Sequence, residues 1–460
     1  MKTVERQSSR LNLLRWPVVG WFFNHTPTMQ IMRFIVLAMM VSAIYFGLVY
    51  PTEDINPYTG AIFWSLFWPF FLIVSMATLG PIFCGICPHS FVGKYLNKIG
   101  PKKPIPTWLK NRWIGFGLLL AAYWVPIYAF PDLLKTPWIT ALFFLVLTIF
   151  AWVGFYLFRN MAYCSNLCPI GSVTSAFGKV GFAKLTTDQE HCSSCRSFDC
   201  MKACQWNLKP YLFEQKNSMG DCTLCMDCSK ACNAVEFKLS KPSVQLWKPS
   251  KAKEPMNVWV YVWLLAVISI TMRFHHSLGH SSIKDQLPWV QAGTWMNQAW
   301  PIALFDWVGA IALGMAVAIT FAIVYASFAI SAKLINQPFK DYFQSVGPML
   351  APLMLIGGLS HVGSFFFLHY ASDVGNAWYW LIGSFNQMQP LASFRDGWVH
   401  LFGLFNYVAV IWAMFILHKR LGMLALNGPK RLAIFMISGS MIWFYLYLIV
   451  LRAMIPRGGH

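Results

Sequence analysis

The chain has 460 residues, of which 57% are hydrophobic and 17% aromatic but only 12% charged, and its formal net charge is +19. Soluble domains carry roughly 25% charged residues, so this composition excludes a water-soluble globule, a disordered tail and a fibrous repeat. It predicts an all-α polytopic membrane protein, in which the excess of Lys and Arg marks loops on the cytoplasmic side and does not indicate nucleic-acid binding.

Crossing a bilayer takes about 20 apolar residues per helix. About nine segments meet that length: 31–50, 61–83, 113–130, 137–158, 257–274, 307–332, 346–369, 399–417 and 432–451. Residues 1–30 are expected to form a cytoplasmic N-terminal segment, in which Lys2, Arg6, Arg10 and Arg15 lead past Pro17 into a full-length span without a cleavage-site pattern. With the N-terminus inside, 30 of the 36 Lys and Arg residues fall in inner segments, counting Arg33 within the first span. That bias orients the chain in a bacterial cytoplasmic (inner) membrane. The Trp-rich stretch 287–305 reads as an interfacial or re-entrant segment, because a tenth span there would carry Lys419, Arg420, Lys430 and Arg431 outside.

All twelve cysteines fall in short-spaced sets. Eight lie in a small insert, residues 186–240, placed on the cytoplasmic side. Cys192, Cys195, Cys200 and Cys204 read C-x2-C-x4-C-x3-C, and Cys222, Cys225, Cys228 and Cys232 read C-x2-C-x2-C-x3-C. The second spacing is that of a bacterial ferredoxin, in which the fourth Cys of each run ligates the other cluster. Two [4Fe-4S] clusters are therefore expected, one on Cys192, Cys195, Cys200 and Cys232, the other on Cys222, Cys225, Cys228 and Cys204. The first run is two residues longer than usual, and Gln205 and Asn233 stand where Pro commonly follows. Zinc knuckles are the alternative for C-x2-C repeats, but four cysteines packed this closely favour iron–sulfur. Disulfides are disfavoured on a reducing face.

The other four cysteines close two membrane hairpins. Cys84 and Cys87 form a C-x2-C-P motif, Cys164 and Cys168 a C-x3-C-P motif, and Cys87 and Cys168 are 81 positions apart. Residues 31–185 thus read as a duplicated hairpin with all four thiols in one leaflet. There they either hold an additional iron–sulfur or other metal centre or merely shape the helix ends.

Paired hairpins ending in C-P motifs and followed by a two-cluster insert resemble the membrane-bound polyferredoxins of nitrate and nitrous oxide respiration, the NapH/NosR group. The cupric reductase of cytochrome oxidase assembly shares that core. The resemblance covers about residues 31–240. It implies electron transfer between the quinone pool or a cytoplasmic donor and a respiratory enzyme. The group usually writes both membrane motifs C-x3-C-P, whereas the first here is C-x2-C-P. The periplasmic flavin domain of one branch and the immunoglobulin-like tail of the other are not found.

Residues 257–451, a five-helix C-terminal membrane domain, fall outside that resemblance. The hydrocarbon core is about 30 Å thick, too wide for one electron-tunnelling step from the inner face, so an outward path needs another centre. The candidates are His361 within the seventh span, His369 and His400 at its outer side, and His275 and His276 beyond the fifth. His361 is expected to have no partner histidine at its own depth. Haem b, a quinone pocket and plain docking surface, the last including 371–398 with Trp378, Trp380 and Trp398, compete as roles for this side.

The sequence carries no phosphate loop, dinucleotide fingerprint or nucleophile elbow. The expected function is membrane-bound iron–sulfur electron transfer, as a quinol dehydrogenase-like subunit working with lipid, quinone and other redox subunits. A copper reductase or assembly factor using the membrane-face cysteines, and a redox sensor, are the competing readings.

Overall fold

The computed structural model describes residues 12–249, 255–424 and 426–455, so Lys2, Arg6 and Arg10 lie outside the described residues. These residues are mostly helical, with one two-stranded sheet among them. Seven helices are long and apolar enough to cross a membrane: Pro27–Val49, Pro57–Thr78, Pro137–Leu157, Pro255–Leu278, Trp307–Leu334, Phe339–Leu381 and Gly397–Leu424. Gly428–Ser438 and Ser440–Met454 meet the same test together but are bent by 52° between them. Such a set of long apolar helices is that of a membrane protein.

The number differs from nine for a local reason. The segment expected as a third span is helical through 112–129, but Arg112 opens it and Trp, Tyr and Pro interrupt its aliphatic run, so it is not among the long apolar helices. The stretch 287–305 contains a helix of 12 residues, Pro288–Ala299. At 1.5 Å per residue it extends about 18 Å, too short to cross.

The chain forms two compact units, the first of residues 1–117, 140–253 and 373–387, the second of 118–139, 254–372 and 388–460. In the first unit the Pro57–Thr78 and Pro137–Leu157 helices pair side by side. Phe63 stacks on Phe144 at 3.7 Å between ring centres, Trp64 donates its indole N–H to Thr140, and His89 Nε2 lies 2.9 Å from the Thr148 hydroxyl. The insert is closed by strands β1 (Ala183–Thr187) and β2 (Val235–Leu239), antiparallel with Ala183 opposite Leu239 and Thr187 opposite Val235. Pairing its two ends turns the intervening cysteine runs into one lobe around Leu185, Phe213, Leu224, Met226 and Phe237. Asn12 pins the N-terminal segment to this sheet by accepting the Phe237 N–H at 3.2 Å.

The second unit is a helical bundle held by small and hydroxyl residues as well as apolar ones. Tyr342 and Ser438 share a hydrogen bond of 2.6 Å, and Ser438 donates to Ser331 at 2.8 Å, all three buried. A Cβ at Gly293 would sit 2.5 Å from the Val308 Cα, so the short helix packs on the Trp307–Leu334 helix only with glycine there.

Candidate functional site

Each hairpin cysteine pair is set by how its helix ends. Gly80 adopts a left-handed backbone (φ 84°), and Pro81 follows, so the second span stops and the chain turns into Phe83–Ile86. Cys87 takes the extended conformation that a following proline enforces and leads into the Pro88–Ile99 helix with Pro88 in its first turn. In the second copy Met161 is left-handed before Ala162–Asn166, and Gly171–Phe177 begins three residues after Cys168.

The fold gathers the twelve free thiols into three groups of four. Cys164 is within electrostatic reach of Cys168, Cys87 and Cys84. Cys228 is within reach of Cys222, Cys225 and Cys204. Cys200 is within reach of Cys232, Cys192 and Cys195. The fold thus carries Cys232 to the first run of the insert and Cys204 to the second. Neighbouring groups also meet, Cys200 reaching Cys228 and Cys222 reaching Cys84. The order is therefore linear: the exposed run, the buried run, then the hairpin ends.

The middle group has the shape of a cradle. Cys204, Cys222, Cys225 and Cys228 all line one small, mainly apolar pocket, together with Trp206, Leu208 and Phe213 among others. Asp221, Leu224 and Met226 along its loop hold left-handed backbone, with φ of 66°, 52° and 61°. Each costs roughly 1–2 kcal/mol for a residue with a side chain, and such conformations persist where the surrounding structure demands them, commonly at functional sites. A tetrahedral zinc, with bonds of about 2.3 Å, draws its four sulfurs onto one point. No three His, Cys, Asp or Glu side chains among the described residues converge on one ion in that way. Four cysteine thiols lining one pocket are the donor set that holds a [4Fe-4S] cluster.

Protonation follows burial. Loss of water pushes the Cys84, Cys87 and Cys164 thiols up, with neighbouring cysteines adding to the effect at Cys84 and Cys164, and pushes Cys168 up to about 12. Burial does the same to Cys222 and Cys228. A metal that takes these sulfurs as thiolates displaces their protons. Cys195 lies at the opposite extreme: hydrogen bonds from the Phe198 backbone and the Ser197 side chain lower it at the protein surface.

The insert is seated directly on the hairpin ends. A Cβ at Gly85, between Cys84 and Cys87, would lie 2.8 Å from the Leu224 carbonyl oxygen and 3.1 Å from that of Thr223. Arg33 donates to the Gly85 carbonyl at 3.0 Å and to the Cys225 carbonyl at 3.4 Å. Arg112 pairs with Asp221, and Lys94 with Asp227 at 3.5 Å. Gln205 also donates to Asp227, at 2.8 Å. The Lys-rich stretch 94–112 thus clamps the insert as well as adding positive charge. The Thr174 side chain beside Cys84 partly offsets the effect of burial on that thiol. Sequence reasoning passed over Arg33, Arg112, Asp221, Thr174 and His89. The signal available was Arg33, an ionisable residue inside an apolar span.

The histidines lie in the second unit. His275 Nε2 is 3.2 Å from Asp306 Oδ2, and its ring is 4.7 Å from that of His276. His361 Nε2 meets the Tyr370 hydroxyl at 3.3 Å. His361 lies within electrostatic reach of His276 and His369. His400 sits in the Gly397–Gly403 turn that opens the next long helix. Of the tryptophans expected on a docking face, Trp380 instead packs on Phe46, Tyr50 and Tyr58 in the first unit, while Trp378 and Trp398 are exposed.

A family model described as a 4Fe-4S binding domain matches the chain twice, over residues 61–106 and 140–186. Each match covers the second helix of a hairpin and the cysteine motif after it, with Cys84 and Cys87 in the first and Cys164 and Cys168 in the second. They support an iron–sulfur, ferredoxin-type protein with a role in electron transfer. An uncharacterized protein of Methanocaldococcus jannaschii is 26% identical over 248 residues, covering 50% of this chain and 96% of that protein. A second uncharacterized protein of the same organism is 27% identical over 185 residues, covering 36% of this chain and 75% of its own. No solved structure matches the chain.

Proposed function

We propose that this chain is a membrane-bound electron-transfer subunit of the NapH/NosR kind, passing electrons between a quinone or cytoplasmic donor and a respiratory redox partner. The observation that carries the reading is the linear order of three four-thiol groups in one compact unit, with the middle one lining a cavity. Cys192, Cys195, Cys200 and Cys232 would hold one [4Fe-4S] cluster, and Cys204, Cys222, Cys225 and Cys228 the second. Cys84, Cys87, Cys164 and Cys168 would hold a third centre. Bound there, such clusters supply one-electron carriers.

The chain's own residues divide the remaining work. The exposed run around Cys192 and Cys195 is the natural point of exchange with a soluble donor. Leu208, Phe213 and Trp206 keep water from the middle group. The hairpin ends bring the third group to the membrane face, where lipid-soluble quinone is within reach. The family matches fall on those hairpins, which favours iron–sulfur over copper at Cys84, Cys87, Cys164 and Cys168. An inner bacterial membrane, with the insert and N-terminus on the cytoplasmic side, agrees with the Lys and Arg bias of the loops. The His275, His276, His361 and His369 region of the second unit would be the place for a quinone or haem.

The test is iron and acid-labile sulfide on the purified protein, with low-temperature electron paramagnetic resonance after dithionite reduction. About twelve irons with three interacting signals are expected. A colourless protein carrying zinc would end this reading.

A further inference from the structure

Arg33 lies within the Pro27–Val49 span and is 5% exposed. Its guanidinium meets two backbone carbonyls, Gly85 in one cysteine motif and Cys225 in another. Among the described residues no carboxylate pairs with it. A buried charge without a counter-charge is strongly unfavourable, and one placed in a membrane span is more so. Two carbonyl dipoles do not neutralise a full positive charge. Nor is Arg33 alone: Lys230 lies within electrostatic reach of Arg33, Lys94, Asp227 and Cys225. Four cations, Arg33, Lys94, Arg112 and Lys230, thus stand about the Cys225 loop against two carboxylates, Asp221 and Asp227. The missing negative charge must come from something this part of the chain holds.

We infer that Arg33 is the shared counter-cation of two anionic redox centres, one on Cys204, Cys222, Cys225 and Cys228, the other on Cys84, Cys87, Cys164 and Cys168. The inference rests on the reading under Proposed function and deepens it. Four thiolates bring more negative charge than the iron core they hold can cancel, so each loaded site is an anion. Arg33 stands at the junction of the two, on the backbone of both motifs, and its charge favours the reduced, more negative state of each. It is a positioning and tuning residue: it holds the Gly85 and Cys225 turns together and sets how readily both centres accept an electron.

A purely structural staple and a counter-cation differ in what they predict for charge. Arg33→Gln keeps a side-chain donor and removes the charge, whereas Arg33→Lys keeps the charge and loses the fork. Both variants and the native protein are purified, iron and sulfide are counted, and each centre is titrated potentiometrically by electron paramagnetic resonance. In iron-replete R33Q both centres should be about tenfold harder to reduce, a fall of about 59 mV for a one-electron couple, while the exposed centre on Cys192 and Cys195 stays put. R33K should remain close to the native potentials. Unchanged potentials in iron-replete R33Q overturn the inference. If R33Q fails to load or fold, Lys230→Gln decides: a smaller fall confined to the Cys225 centre supports it, and no fall overturns it. A native protein with iron in the insert but none at the Cys84 quartet removes the reading under Proposed function for that quartet. Unchanged potentials with about twelve irons remove the Arg33 inference alone.

Discussion

In the second unit buried polar groups mostly answer one another: Tyr342 with Ser438 and Ser331, Arg273 with Asn406, Asn406 with Tyr445, His275 with Asp306. In the first unit Lys94 and Arg112 have carboxylate partners, but the cysteine thiols and Arg33 have none of opposite charge among the described residues. Twelve free thiols sit in fours, and Arg33 faces only carbonyls. Side chains satisfied within the protein hold helices together, whereas buried groups left incomplete are arranged for something else to complete them. By that measure the first unit is built to be loaded. The second also leaves buried atoms without a partner, His275 Nδ1, Arg273 Nε, Trp289 Nε1 and Thr320 Oγ1 among the described residues, but it carries no group of thiols.

The contrast can be broken most directly at the middle group. Cys225→Ser should remove about four irons and stop electron flow through the insert, as read by iron analysis and by turnover with the native donor. Unaltered turnover would show that the groups are not in series. Cys84→Ser should also remove about four irons but leave both insert signals in place, because those ligands are all in the lobe closed by β1 and β2. Loss of every signal would mean that the hairpin ends are needed to fold the insert.

Gly85→Ala sharpens the comparison without touching a sulfur. The new methyl meets the Leu224 and Thr223 carbonyl oxygens, backbone atoms that cannot swing away, so the loop must retreat. Iron content should hold while magnetic interaction between the two centres weakens and transfer between them slows about tenfold. Asp221→Asn should do less. Its ion pair with Arg112 is partly exposed, so about 1 kcal/mol or less is at stake, measured as a small drop in thermal midpoint with all iron retained. The smallest effect on iron belongs to the second unit. His275→Ala removes the partner of Asp306 Oδ2, while Oδ1 keeps the Val308 N–H, and costs about 1–3 kcal/mol of stability, yet iron and all three signals should be unchanged. Lost iron there would erase the distinction between the units.

Much of this was legible beforehand because spacing along a chain limits what a cysteine can do. The two insert runs, the duplicated C-P hairpins and the long apolar helices all announce themselves within a few dozen residues. The segment 113–130 was harder, since a run of Leu and Ala looks like a span until Arg112, the tryptophans and Pro126 are weighed against it. Arg33 was visible as a charge in an apolar stretch, and its importance was not, because it reads equally well as a topology anchor.

Composition and spacing by themselves determined a membrane chain with three sets of four thiols, since apolar length and ligand spacing are local properties that the backbone cannot hide. The order of those sets, the closeness of Gly85 to the Cys225 loop and the placing of Arg33 between them were decided only by tertiary structure. Residues 33, 85 and 225 are joined by packing across long stretches of chain, and no local pattern encodes which turns will meet when the helices close.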